Sequence, residues 1–461
     1  MASLEEQLLP RSFDTIFMGA AGSGESTGDG PFWINQQYGS SDDEYRCITS
    51  DSNNNVIVGG STESGASGQG GHDGLVTKYT NEGALTFSKT YGGSANDNVS
   101  GIQVDSSDNI YVGGYLSYDF LTAKFNSSFV KQWQLTRNST QIPSAPYDVG
   151  HDSAIDSNNK IYTCGYARTQ QASYDQGFWS RYDSDGSNFL SRSMHGSSSS
   201  FGYCIWYGID VDASGNIFVA GICNYSSGSA NYVQVVAKYN SSAALQWQRR
   251  LSTHLGRNNG CALDSSGNIY TVGYSGQVHS GRTDAECVLA KYNTSGTIQW
   301  QRAFGHTGTD IWSDIKILND VIYCFGETNK GPGGYAWLIA QYDTSGNLNF
   351  SRTLGGTASG VSTKASKINF DSTGAMLLCG YTQGTKYAVM AKLPNDGSLT
   401  GTYGTGNNQY TYADTSGFTA TNSSLTEGAA TNVDSSISLS GVSETGNVAD
   451  AGLTLTRQAV S

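Results

Sequence analysis

One phrase returns seven times along this chain: an Asp, a few turn-forming residues, an apolar run like Ile-Tyr-Val, and a closing Gly. It occupies residues 51–60, 105–114, 156–165, 212–221, 264–273, 319–326 (a weaker copy opening on Asn319) and 371–380, so the closing glycines are 51 to 56 residues apart. A second phrase, a small apolar run ending in Lys-Tyr-Asn or a near variant, follows in every period, at Lys78, Lys124, Arg181, Lys238, Lys291, Gln341 and Lys392. A third, an Asn/Ser/Gly turn feeding a run with aromatic residues, appears at 293–305, 240–251 and 343–355, and more loosely at 126–135. Each is a tight turn next to a strand. A period near 50 residues carrying four short strands is a propeller blade, which must stack on its neighbours to bury a core. In the fifth copy the strands are expected at 258–263, 268–274, 287–292 and 297–304. Seven copies predict an all-β, seven-bladed β-propeller of four-stranded blades.

The repeats divide the chain into three parts. Residues 1–30 read as an N-terminal arm, with a short helix over 4–9 stopped by Pro10 and a Gly/Ser-rich linker from 19 to 30. Residues 31–404 are the propeller, and 405–461 a C-terminal β-rich extension that keeps only fragments of apolar alternation. The outer-strand phrase occurs once too often, at 33–38 before the first blade and at 398–404 after the last. One of the two must complete the seventh blade. The expectation is that 33–38 closes the ring and 398–404 leads away, and that residues 405–461 are either a small β appendage that pairs with a neighbour, the favoured reading, or an extended tail.

Only 14% of the residues are charged and the net charge is −13, a poor match to a nucleic-acid partner held through its phosphates. No run of 18 apolar residues suggests membrane insertion. The first residues have neither the basic nor the apolar region of a secretory signal, whereas the Ser/Thr/Asn/Gly-rich, Lys-poor remainder suits work outside a cell. The eight Cys are scattered singly. Cys164, Cys261 and Cys379 fall where other repeats place Gly or Ile, so all are expected to act as small buried hydrophobes with no disulfide framework.

The turns after the first and third strands of each blade are short; the connections after the second and fourth are long and irregular. Those longer connections share one face of the disc, and binding residues concentrate on such loops. The candidate ligand-binding residues are His195, Tyr203, His254, His306, Tyr174 and Tyr225, which would line a surface that recognises sugar or polymer. Asp43, Asp97, Asp148 and Asp310 recur eight residues before the end of the inner strand. A ring of carboxylates could hold calcium, but a recurring Asp more often ties down a turn. Residues 183–186 (Asp-Ser-Asp-Gly) open like a calcium loop without its distal Glu, and read as a turn. Trp133, Trp247 and Trp300 hold one outer-strand position and are expected between blades. No nucleophile elbow, zinc-protease, phosphate-loop or dinucleotide motif occurs, so no catalytic residue and no cofactor is assigned.

The inner strand ending in Asp, the Ser-Gly-Asn turn, the Ile-Tyr-Val-x-Gly run and the later Lys-Tyr-Asn turn with Trp together resemble the SBBP-type β-propeller repeat, over about residues 32–404. The resemblance implies a propeller of the kind found in marine bacteria and their phages; it implies little about function, because such repeats are known by their blades. The favoured expectation is a non-enzymatic structural or attachment protein of a phage virion. It would be made in the host cytoplasm, docked to other virion proteins by the arm and the extension, and turned toward a host-surface glycan. The alternatives are an exported bacterial surface propeller that binds polysaccharide and a polysaccharide-active enzyme.

Overall fold

The recurring Asp makes its turn by folding back on it. In the computed structural model, Asp51 Oδ1 accepts the backbone N–H groups of Asn53 and Asn55 at 3.0 and 2.9 Å. Asp105, Asp156, Asp212, Asp264 and Asp371 repeat the arrangement in their own blades. In blades 1, 2, 5 and 7 the Lys of the second phrase then reaches the same carboxylate. Lys78 Nζ lies 2.8 Å from Asp51, and Lys392 Nζ lies 2.6 Å from Asp371, both fully buried in the latter pair. The two sequence phrases are therefore two halves of one device that pins the first hairpin of a blade to its third strand.

Described here are residues 13–17, 32–37, 42–63, 71–93, 95–138, 148–168, 175–195, 203–224, 232–251, 256–276, 284–331, 333–357, 362–384, 386–403, 409–415, 418–422, 427–429, 433–435, 440–442 and 447–450. They form seven antiparallel four-stranded blades in a ring, and no helix occurs among them. In the fifth blade the strands are Gly256–Leu263, Ile269–Gly276, Ala285–Tyr292 and Ile298–Gly305, within two residues of expectation at every end. The helix expected over 4–9 lies outside the described residues.

The ring closes as a clasp. Trp33–Gln37 pairs with Ala388–Leu393 and so supplies the outer strand of the seventh blade, while Gly401–Tyr403 turns away to pair with Tyr410–Asp414. The core lies between blades. One cluster joins Tyr323, Phe325 and Trp337 of blade 6 to Ile368, Met376 and Leu378 of blade 7, with Ile34 of the clasp among them. The outer-strand Trp residues do bridge blades. The indole N–H groups of Trp133, Trp247 and Trp300 donate to Ser184, Thr294 and Thr344 carbonyls one blade on, at 3.0 to 3.1 Å. Gly296, at φ 77°, takes a conformation that disfavours a side chain, and a Cβ there would stand 2.6 Å from the Trp247 ring. Residues 183–186 form the expected turn, with the Gly186 N–H donating to the Asp183 carbonyl.

The C-terminal extension departs from expectation. Its strands pair with this chain's own rim, visiting the blades in reverse order. Tyr410–Asp414 adds a fifth strand to blade 6, Thr419–Asn422 to blade 5, Glu427–Ala429 to blade 4, Val433–Ser435 to blade 3, Ser440–Val442 to blade 2 and Asn447–Asp450 to blade 1. Phe13–Phe17 of the arm does the same for blade 7, along Trp33–Gln37. The reason is the open row of N–H and C=O groups that every outermost strand presents. Seven rim edges are thus each capped by a short strand of the same polypeptide.

The cysteines need one correction. Cys47, Cys164, Cys261, Cys287, Cys324 and Cys379 are buried free thiols, as expected, but Cys204 and Cys223 form a disulfide. They are directly opposed on the first and second strands of blade 4, so their 19-residue separation is that of a hairpin.

Candidate functional site

All seven inner strands carry a β-bulge at the same place, between Tyr45 and Cys47, Val99 and Gly101, Gly150 and Asp152, Trp206 and Gly208, Asn258 and Gly260, Trp312 and Asp314, and Ala365 and Lys367. A bulge frees one residue from the ladder and re-aims its side chain. The freed residues are Arg46, Ser100, His151, Tyr207, Asn259, Ser313 and Ser366, and every one lines a cavity of about 690 Å³ at the centre of the ring. The closing glycines make the bulges sterically feasible. A Cβ on Gly60, Gly114, Gly165, Gly221, Gly273, Gly326 or Gly380 would fall 1.7 to 2.0 Å from a carbonyl oxygen of the inner strand. The residue after that Gly also lines the cavity in five blades, as Tyr115, Tyr166, Tyr274, Glu327 and Tyr381.

The cavity is a funnel on the face of the long connections, because inner strands begin and second strands end there. A cross-ring ion pair forms its floor. One residue beyond each bulge stand Cys47, Gly101, Asp152, Gly208, Gly260, Asp314 and Lys367. The three glycines keep this waist narrow; a Cβ on Gly208 would lie 2.7 Å from the Cα of Gly260. Lys367 of blade 7 therefore spans the ring to Asp152 of blade 3 at 2.9 Å and also meets Asp314 of blade 6 at 3.3 Å. Burial opposes the Lys367 charge, but the two carboxylates outweigh it and raise its pKa above the usual lysine value.

Above the floor, aromatic and basic groups meet. The Arg257 guanidinium sits 3.7 Å from the centroid of the Tyr207 ring and donates through Nε to Asn259. The His151 ring lies 4.8 Å from Tyr207 and 5.6 Å from Tyr166. Burial, and then the charges of Arg257, Arg46 and Lys367, push the His151 pKa down to about 3, so the ring is neutral. Its Nε2 is buried without a hydrogen-bond partner. Arg46 pairs with Glu44, and Lys364 pairs with Glu327 at 2.7 Å.

The residues expected to bind ligand are not brought together in this funnel. His195 ends the outer strand of blade 3 and pairs along the rim with Val433. His306 is buried, with Nδ1 2.9 Å from Asp310 and its ring 4.8 Å from Phe418, which precedes the blade 5 strand of the C-terminal belt (the six rim-capping strands), so it belongs to the packing of blade 5. Tyr203 precedes the inner strand of blade 4 and its ring meets Tyr232 at 5.4 Å. His254, Tyr174 and Tyr225 lie outside the described residues. Asp43, Asp97, Asp148 and Asp310 do recur at the starts of inner strands, all buried. Their carboxylates are spent locally. Asp97 accepts the N–H groups of Gly93 and Ser117 at 2.7 and 2.6 Å, Asp148 that of Arg168 at 2.9 Å, and Asp310 that of His306 at 2.8 Å. Asp43 is approached by the Gln37 side-chain amide at 3.4 Å. Among the described residues no three His, Cys, Asp or Glu side chains converge as a metal site, and no helix is long and apolar enough to cross a membrane.

No family model matches the chain, and no curated protein does either. Among solved structures it is similar to the β-propeller domain of the Trilobed protease from Pyrococcus furiosus, at 8% identity and TM-score 0.44, covering 79% of this chain and 97% of that one. It is also similar to YCF48 bound to D1 peptide, at 11% identity and TM-score 0.42 over 80% and 97% of the two chains. A third likeness is to Drosophila Semaphorin 1a, extracellular domains 1-2, at 8% identity and TM-score 0.45 over 75% and 85%. These likenesses are to propellers of varied kinds and add nothing to the fold read from the sheet order.

Proposed function

We propose that this chain is a non-enzymatic attachment protein of a phage virion, a propeller of the SBBP-like type that turns its funnel toward a host-surface glycan. The observation that carries the recognition role is the bulge ring. Seven blades built on one scaffold carry five different residue types (Arg, His, Tyr, Asn and, three times, Ser) at the single inner-strand position that the bulge aims into the funnel. A rigid frame with varied side chains at one mouth is what a binding surface requires. The funnel carboxylates are engaged in ion pairs, Glu327 with Lys364 and the floor pair Asp152 and Asp314 with Lys367, which suits binding better than acid–base chemistry.

The particle assignment draws support from the acidic, Lys-poor composition and from a rim whose edges are capped by the chain's own termini. With Phe13–Phe17 and the six belt strands committed to that rim, docking to other virion proteins falls to the two faces of the disc and the outer side of the belt. A second reading, an exported surface propeller that binds polysaccharide, is favoured by the Cys204–Cys223 disulfide, which fits an oxidising compartment. Mass spectrometry of gradient-purified phage particles separates the two. The virion reading expects the full-length chain at a fixed ratio to tail proteins; finding it only in the host envelope or medium would refute that reading.

A further inference from the structure

The charges around the funnel are unevenly matched. Arg46, Lys364 and Lys367 each meet a carboxylate, whereas Arg257 has none within ion-pair distance among the described residues. Arg257 stands on the funnel wall, its guanidinium laid over Tyr207 and its Nε held by Asn259, with the rest of the fork turned to no acidic partner. A planar guanidinium oriented by an aromatic face is organised to take a carboxylate in two-point contact. In a chain with a net charge of −13, this cation of the central cavity thus meets no carboxylate among the described residues.

The surroundings of Arg257 narrow the chemistry. Tyr166, Tyr207 and Tyr274 supply flat apolar faces, and Asn259 and Ser313 supply short hydrogen-bonding side chains next to them. The His151 ring, whose Nε2 is buried without a hydrogen-bond partner, packs against Tyr166 and Tyr207 in the same wall. Flat faces beside many short polar groups suit a ring that is apolar on its faces and hydroxylated at its edge. The cavity volume falls in the range of small-ligand sites.

We propose that the funnel binds an acidic sugar, its carboxylate on the guanidinium of Arg257 and its ring faces against the neighbouring tyrosines. The assignment rests on the reading of the funnel as the recognition surface and names the chemical class of its ligand. His151, kept neutral by its surroundings, packs against Tyr166 and Tyr207 and fixes those rings as faces of the site. The floor ion pair closes the site from below, so the ligand enters and leaves by the long-connection face.

Calorimetric titration of the full chain tests this with four acidic probes: tetragalacturonate, a hyaluronan tetrasaccharide, a mannuronate tetrasaccharide and trimeric α2,8-linked N-acetylneuraminate. The controls are fully methyl-esterified tetragalacturonate and maltotetraose. At least one acidic probe should bind at least 10-fold more tightly than both controls. Arg257→Gln should weaken that binding by 10-fold or more, Arg257→Lys by less, and rim substitution Lys131→Gln by less than 2-fold. Circular dichroism matching the parent shows that each variant is folded, and His151→Gln offers a second funnel variant with an expected loss of about 3-fold or more. Equal binding of acidic and neutral probes, unchanged affinity in folded Arg257→Gln, or no binding of any acidic probe would each overturn the assignment. So would retention of an acidic peptide by a chain that ignores all four sugars. Particle-bound protein that fails these titrations loses the sugar assignment while the virion reading stands; a chain that passes them but is absent from particles shows the reverse.

Discussion

Replacing Lys367 with Met strands two carboxylates at the waist of the ring. Among the described residues Lys367 is the cation in ion-pair contact with both Asp152, at 2.9 Å, and Asp314, at 3.3 Å. The pair is almost out of solvent, with Asp314 and Lys367 side chains 4% and 14% exposed. Removing one partner of a buried ion pair costs about 3–5 kcal/mol, because the charge that remains keeps its desolvation penalty and loses its compensation. With an unfolding entropy of about 2.1 cal/mol/K per residue over the roughly 340 described residues, 4 kcal/mol lowers Tm by roughly 5–6 °C. Differential scanning calorimetry at pH 7 reads this directly. The triple variant Lys367→Met, Asp152→Asn, Asp314→Asn should recover most of the loss, since neutral amides no longer need a counter-charge. If the single variant melts within 1 °C of the parent, or if the triple variant melts lower still, the floor is not the buried ion pair described.

Three further outcomes follow from the same geometry. Gly273→Ala should lower Tm by roughly 5 °C or more, because its Cβ would stand 1.8 Å from the Arg257 carbonyl; Gly384→Ala, at φ 93° with nothing within 4 Å, should cost only about 1 kcal/mol. His151 makes the protein acid-sensitive: with a native pKa near 3 the unfolded chain binds the proton first, so stability falls as pH drops from about 6.5 towards 3. The loss amounts to about 3–5 kcal/mol, and urea titrations across that window should show a flatter profile in His151→Gln. Deleting residues 405–461 should leave a folded propeller that self-associates, since it uncovers six rim edges; sedimentation velocity would show oligomers that the full chain lacks.

The blades were readable because each depends on local chemistry repeated seven times. Asp51 and its equivalents must sit beside a turn that their own carboxylate closes, and the closing Gly must face a carbonyl that leaves no room for a Cβ. The clasp was readable for the same reason, since Trp33–Gln37 repeats the outer-strand phrase. The funnel was not, because attention to loops hides residues that a bulge turns inward from the middle of a strand. A signal existed: the freed residue lies 14 positions before the closing Gly in six blades and 13 in the sixth, which picks out Arg46, His151 and Tyr207. His306 misled because its place beside a long connection says nothing of Asp310, which buries it. The belt had no comparable signature. Its strands are three to five residues long and take their register from the rim they join, not from a pattern of their own. The Cys204–Cys223 bond leaves no mark in the repeat, because it joins opposed residues of one hairpin that have no counterpart in the other blades.

The belt decides which surfaces remain for recognition, so its pairing is the claim to test first. Thr90 and Ala449 are directly opposed where the last belt strand meets blade 1. Oxidising the Thr90→Cys, Ala449→Cys double variant and analysing it by non-reducing gel and peptide mass spectrometry gives the answer. The account predicts a 90–449 disulfide within single chains, at dilute and concentrated protein alike. Disulfide-linked dimers and higher ladders that grow with concentration, or no 90–449 bond at all, would contradict it: the extension would then belong to a neighbour, as a sequence reading alone expects, or to no rim at all.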